Sequence, residues 1–217
     1  MSEYDDVLFL SFPRSGSNLV FAWFDFLDVP VNHRYDPLDD GKAIKIPGST
    51  KLGSFGIKKT HYIRSWKGER VVFMLRDPIS VMASKAKRSR NFEFGYEAIK
   101  TLLQQKTYYD MVVFYHSLNA PKLFLRYEDV IRGGSLQISR IAEFLDVDLN
   151  MEAFLRRTVK INDESRERYN NCQTRGVNDW REKLSTHQVD LLLDVVERQI
   201  KNVPNGYFEP YMKRRID

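Results

Sequence analysis

Cysteine is almost missing from this 217-residue chain: Cys172 stands alone, so an internal disulfide framework is excluded and a reducing compartment is expected. Metal-ligand spacing is missing as well, because His33, His61, His116 and His187 are scattered and do not pair into a site. Long apolar runs are absent too. The most apolar stretch, Leu19–Leu27, is interrupted by Asp25 and is far too short to span a bilayer. Met1-Ser2-Glu3-Tyr4-Asp5-Asp6 offers neither a basic n-region nor an apolar h-region, so no secretory signal is expected and the expected location is cytoplasmic. No repeat, low-complexity tract or linker interrupts the chain. The Walker A pattern Gly-x-x-x-x-Gly-Lys-Ser/Thr is also lacking.

What is present is the composition of a packed α/β domain. Hydrophobic residues make up 42% and aromatics 13%, enough for a substantial core, and the length fits a single domain over 1–217. The formal charge of +5 favours an anionic partner such as a nucleotide, a nucleic acid or an acidic surface. No nucleic-acid-binding motif accompanies it, so no nucleic-acid partner is expected. Basic runs occur at Lys85–Arg90, Arg156-Arg157 and Lys213–Arg215, and the last reads as a solvated tail.

Apolar patterning alternates between strand and helix. Val7–Leu10 reads as a strand, and Leu19, Val20, Trp23, Phe24 and Leu27 mark the buried face of a helix. Asp28–Ser54, with Pro30, Pro37, Pro47, Gly41, Gly48 and Gly53, reads as a long loop with little regular structure. Phe55–Lys58 is a weak strand, and Val71–Leu75 a strong one continuous enough to be buried on both faces. Asp77-Pro78 supplies an N-cap and a first-turn proline for a helix to about Arg88. Tyr96–Ser117 reads as one long helix, Lys122–Leu125 as a strand, and Ser135–Leu145, Glu152–Lys160 and His187–Lys201 as helices. This order predicts an α/β fold with a central parallel sheet flanked by helices.

Four segments carry candidate chemistry. The first is Ser11–Asn18, where a strand turns through small residues into a helix N-terminus, a geometry that binds anions. Gly16 allows close backbone approach, Ser15 and Ser17 supply hydroxyls, and Arg14 supplies a permanent cation. An ordinary capped turn is the plainer alternative. The second is Arg76–Ser84: Ser80 and Ser84 share one helix face, and with Arg76 at the strand exit they suit a second phosphate. Alternatively, Asp77 merely caps, Arg76 pairs with an acid, and the serines are simply small. The third is Lys59-Thr60-His61, where an imidazole beside an ammonium suits a general base, though a lone histidine is more often structural. The fourth is Thr174–Arg181, a polar loop that either folds over an anion or only connects.

Taken together, these segments resemble the sulfotransferase superfamily whose donor is 3'-phosphoadenosine 5'-phosphosulfate (PAPS). Phe12–Ser17 is similar to its 5'-phosphosulfate loop, Lys59-Thr60-His61 to the Lys-Thr-His of the cytosolic branch, and Arg76 with Ser84 to its 3'-phosphate signature. Tyr127-Glu128-Asp129 and Arg175-Gly176…Asp179-Trp180 resemble two later family segments, all in family order over residues 7–181. Arg14 stands where the cytosolic branch has lysine, Leu19 replaces a tryptophan, and Tyr62-Ile63 replaces Leu-Pro after His61. The family's dimer segment is not reproduced after Trp180, which leaves the oligomeric state open.

The resemblance implies a P-loop-NTPase-like sulfotransferase fold. It implies an enzyme using PAPS as co-substrate, releasing adenosine 3',5'-bisphosphate (PAP) and needing no metal. In its terms His61, Lys59 and Arg14 are catalytic: His61 takes the acceptor proton while the two cations stabilise charge on the sulfuryl group and bridging oxygen. Donor binding falls to Arg14, Ser15, Gly16, Ser17 and Asn18 at the 5' end, and to Arg76, Ser84, Arg175 and Gly176 around the 3'-phosphate. Tyr127 is implied beside the adenine. The acceptor is expected to be a small molecule or glycan, in a pocket from Asp28–Ser54 and Asn91–Tyr96. A P-loop-type nucleotide kinase, or an inactive nucleotide-binding protein of the same fold, are the competing expectations.

Overall fold

The computed structural model describes residues 7–27, 29, 31–32, 57–60, 70–87, 95–157, 180, 183–204 and 206–212. In chain order the first elements are β1 (Val7–Ser11), α1 (Ser17–Phe26), β2 (Val31–Asn32), β3 (Ile57–Thr60), β4 (Arg70–Leu75), α2 (Pro78–Ala86) and α3 (Tyr96–Gln104). There follow α4 (Thr107–Ser117), β5 (Lys122–Arg126), α5 (Tyr127–Arg132), α6 (Gly134–Leu145), α7 (151–157), α8 (Thr186–Ile200) and α9 (Glu209–Met212). The chain divides into two compact units. A sheet unit comprises Met1–Ser11, Gly16–Leu75 and Asn119–Gln173, and a helical unit comprises Phe12–Ser15, Arg76–Leu118 and Thr174–Asp217.

The sheet unit is built on five parallel strands in the order β2-β3-β1-β4-β5. β1 lies at the centre, its Val7–Leu10 opposite Ile57–Thr60 on one side and its Val7–Ser11 opposite Arg70–Met74 on the other. Central parallel strands are covered on both faces, which is why VLFL and VVFML are continuous apolar runs rather than alternating ones. Val7, Phe9, Val72, Met74, Leu123 and Leu125 form one core face with α1, α5, α6 and α7. Phe9 meets Phe21 and Phe24 edge-on, with centroids 5.0 and 5.8 Å apart, and Trp23 meets Phe154 at 5.7 Å. Burying each such ring is worth about 1.5–3 kcal/mol.

In the helical unit, α3 packs on α2 and on α8. α2 starts where the sequence predicts: Asp77 caps it by accepting from the Ile79 amide at 3.1 Å, and Pro78 fills the first turn. α8 carries a capping box between Ser185 and Gln188. Tyr108, Tyr109, Phe208 and Tyr211 form an aromatic layer with centroids 5.4–6.4 Å apart.

One expectation is corrected. Tyr96–Ser117 is not one helix but α3 and α4, broken where Gln105 adopts an extended backbone (φ −72°, ψ 123°). The apolar stripe of Ile99, Leu102 and Leu103 would next require apolar residues at 106 and 107, and Lys106 and Thr107 stand there instead. The stripe restarts one residue later at Tyr108, so the helix must restart too. In Asp28–Ser54, read as loop with little regular structure, the described residues include one two-residue edge strand, Val31–Asn32, parallel to β3. Apart from Val29, the rest of that segment lies outside the described residues, as do Asn91–Phe94 and the basic tail. The expected fold class, α/β with a central parallel sheet flanked by helices, is the observed one.

Candidate functional site

In an open parallel sheet, ligands gather where the strands end. Three of the four candidate segments, and Tyr127, come in the chain at such an end: Phe12–Asn18 follows β1, Lys59-Thr60-His61 closes β3, Arg76 follows β4 and Tyr127 follows β5; Thr174–Arg181 follows no described strand.

In the helical unit, Phe12-Pro13-Arg14-Ser15 is a tight turn closed by the Ser15 amide on the Phe12 carbonyl at 3.1 Å. Pro13 fixes a negative φ at the second position, and Arg14 at the third has φ +76°, the pattern of a type II turn. Glycine usually fills that third position, and an arginine there is strained by about 1–2 kcal/mol. Both ends of Arg14 are held: its Nε donates to Ser84 Oγ at 3.0 Å, and its carbonyl accepts from Arg76 Nη1 at 3.1 Å. The structure thus links Arg14, Arg76 and Ser84, three residues singled out from sequence. Phe12 packs edge-on against Tyr108 at 5.1 Å, and Lys85 Nζ lies 5.3 Å above its ring. Ser15 is buried, and its hydroxyl has no hydrogen-bond partner among the described residues. An orphaned buried hydroxyl beside two guanidinium-bearing residues fits an anion, which would supply the missing acceptor.

The Arg76–Asp77 junction is held tightly. Tyr108 Oη donates to the Arg76 carbonyl. Ser80 Oγ donates to Asp77 Oδ2 at 2.8 Å and accepts from Trp180 Nε1 at 2.8 Å. Ser80 therefore spends its only proton internally and is no phosphate ligand. That corrects the pairing of Ser80 with Ser84. Burial, and secondarily the charge of Asp77, hold the Tyr109 phenol well above its ordinary range.

In the sheet unit, Gly16 has φ +88°, and a Cβ placed there would lie 2.2 Å from Tyr127 Cδ2. Gly16 is thus required by the Tyr127 ring as much as by any close approach of an anion. α1 opens at the next residue, with Ser17 buried and Asn18 half-buried. Tyr127, only 8% exposed, begins α5. Lys59 sits in β3 opposite Phe9, next to the strand's last residue, Thr60. His61, Arg175 and Gly176 lie outside the described residues. Sequence reasoning missed the partners of these groups, Tyr108, Trp180 and the Asp77–Ser80 bond. Only the Asp77-Pro78 cap had a local signal, since Trp180 lies 100 residues from Ser80.

No protein-family profile matches the chain, and no curated protein matches it by sequence. Solved structures do match. Mouse sulfotransferase SULT7A1 complexed with PAP aligns over 97% of this chain and 87% of its own, at 15% identity and a TM-score of 0.64. Retinol dehydratase in complex with androsterone and inactive cofactor PAP aligns over 94% and 82%, at 18% identity and a TM-score of 0.64. The same enzyme with retinol and PAP aligns over 94% and 83%, at 17% identity and a TM-score of 0.63. The chain has the fold of these structures.

Proposed function

We propose that this chain transfers a sulfuryl group from PAPS to a hydroxyl or amine of a small-molecule or glycan acceptor. One observation carries the reading. The segments around Gly16, Arg76 and Tyr127 that resemble donor-binding loops follow the carboxyl ends of parallel strands in a fold whose solved examples hold PAP. The orphaned Ser15 hydroxyl and the strained, twice-held Arg14 support it, because unmet polar groups and strain concentrate at ligand sites.

In this reading Ser15, Gly16, Ser17 and Asn18 cradle the 5' end at the start of α1. Arg76 and Ser84, with Arg175 and Gly176, take the 3'-phosphate, and Tyr127 borders the adenine. A guanidinium carries five N–H donors, so the bond from Arg14 to Ser84 is compatible with an anion contact by Arg14. The donor supplies an activated sulfuryl group. His61 takes the acceptor's proton as the new bond from sulfur to the acceptor oxygen or nitrogen forms and the bridging S–O bond breaks. Lys59 and Arg14 stabilise the charge on the sulfuryl and bridging oxygens, and the leaving bisphosphate keeps the electron pair.

Adenosine 3',5'-bisphosphate at a hundredfold excess over Kd should raise the melting temperature by roughly 5–10 °C without magnesium. Labelled PAPS should then pass its sulfate to at least one member of an acceptor panel of phenols, sterols, amines and glycans. Stabilisation by ATP with magnesium but not by the bisphosphate would point to a kinase instead. Binding without transfer across the panel would leave a nucleotide-binding protein of this fold.

A further inference from the structure

We propose that the buried chain Trp180–Ser80–Asp77, together with Tyr108, positions Arg76 and so sets the preference for a 3'-phosphorylated nucleotide. The inference rests on the proposed role of Arg76 and extends it to residues with no ligand contact of their own.

A helix start needs only one side-chain acceptor at its N-cap, and Asp77 provides it with Oδ1 on the Ile79 amide. The structure adds more. Asp77 Oδ2 accepts from Ser80 Oγ at 2.8 Å, and Ser80 Oγ accepts from Trp180 Nε1 at 2.8 Å. Indole N–H can only donate and carboxylate oxygen can only accept, so the direction of the chain is fixed: indole to hydroxyl to carboxylate. Trp180, Ser80 and Asp77 are 1%, 3% and 3% exposed, so water cannot replace a lost member cheaply. On the other side of the same peptide, Tyr108 Oη donates to the Arg76 carbonyl.

The Arg76–Asp77 peptide is therefore clamped at its carbonyl and at the side chain that follows. Arg76 leaves this fixed root to reach the Arg14 carbonyl with Nη1 at 3.1 Å. A long arginine side chain loses much rotamer freedom on binding a phosphate, and a fixed root reduces that loss and aims the planar fork. Capping alone would not require the tryptophan. Trp180, Ser80, Asp77 and Tyr108 are thus positioning residues.

The test is titration of wild type, Arg76→Ala and Ser80→Ala with adenosine 3',5'-bisphosphate and with adenosine 5'-monophosphate. The ratio of the two dissociation constants is independent of the folded fraction, so a loss of stability alone does not move it. The wild-type preference for the bisphosphate should fall about tenfold in Ser80→Ala, toward the value of Arg76→Ala, with 5'-monophosphate affinity unchanged within about twofold. A wild-type ratio in Ser80→Ala would overturn this inference and leave the donor reading intact. Equal affinities in the wild type would remove the 3'-phosphate role of Arg76, and this inference with it. If Ser80→Ala does not fold, Trp180→Phe deletes the same chain from its other end while keeping a buried ring. Its ratio is then read in the same way.

Discussion

A methyl group at position 16 would stand 2.2 Å from Tyr127 Cδ2 on a backbone at φ +88°, two independent obstacles to any side chain. Gly16→Ala should lose about 3 kcal/mol of stability, part from the left-handed backbone and part from the collision. Urea unfolding of Gly16→Ala, Tyr127→Ala and the double variant separates the two. The cycle should show a favourable coupling of about 1 kcal/mol or more, and a coupling near zero would mean the ring yields without strain. The glycine was legible in the sequence as the pivot of a tight strand-to-helix turn. The tyrosine that enforces it was not, because 111 residues separate the pair and no local pattern joins them. Ser84 and Arg76 were legible for a similar reason to Gly16, each lying at or just past a strand-to-helix junction. The hydrogen bonds that join them to Arg14 depend on packing that no short motif encodes.

The turn between β1 and α1 has a preference of its own that its sequence obscures. Pro13 suits the second position of a type II turn, but an arginine at the third gives no hint of positive φ. Arg14→Gly should therefore leave stability level or raise it by up to about 1 kcal/mol, read as an unchanged or higher melting temperature, as relieved strain outweighs the added flexibility of glycine. The same change should weaken bisphosphate binding about tenfold or more by removing a cation. A clear fall in melting temperature would show that the Arg14 contacts outweigh its strain. Elements with explicit punctuation were legible: Asp77-Pro78 opens α2, and the apolar runs of β1 and β4 are where the sheet is. The break between α3 and α4 carries no glycine or proline, only a slip in apolar phase at Lys106-Thr107, and such a slip is easily absorbed into one long helix.

Stability of the whole molecule carries a pH signature from its buried phenols. Tyr109 and Tyr115 are held above their ordinary range chiefly by burial, with Asp77 adding to the first and Tyr207 to the second. Below about pH 9 the phenols are neutral in both states and contribute no slope. Above it the unfolded chain releases protons that the folded chain retains, so stability falls as pH rises, by up to about 1.4 kcal/mol per pH unit per tyrosine. Tyr109→Phe should flatten that slope between about pH 10 and 12 without loss at pH 7, because the Tyr109 hydroxyl has no partner among the described residues. Parallel denaturant melts across this range read both effects, and an unchanged alkaline slope would discount Tyr109. Topology has a further consequence, in time rather than in energy. β1 is the middle strand, yet both of its neighbours are made later, the nearer beginning fifty residues downstream. A nascent chain leaving the ribosome at about 5–20 residues per second must carry Val7–Leu10 unpaired for several seconds. Synthesis rate, rather than native stability, then governs how long this sticky segment is open to misassociation.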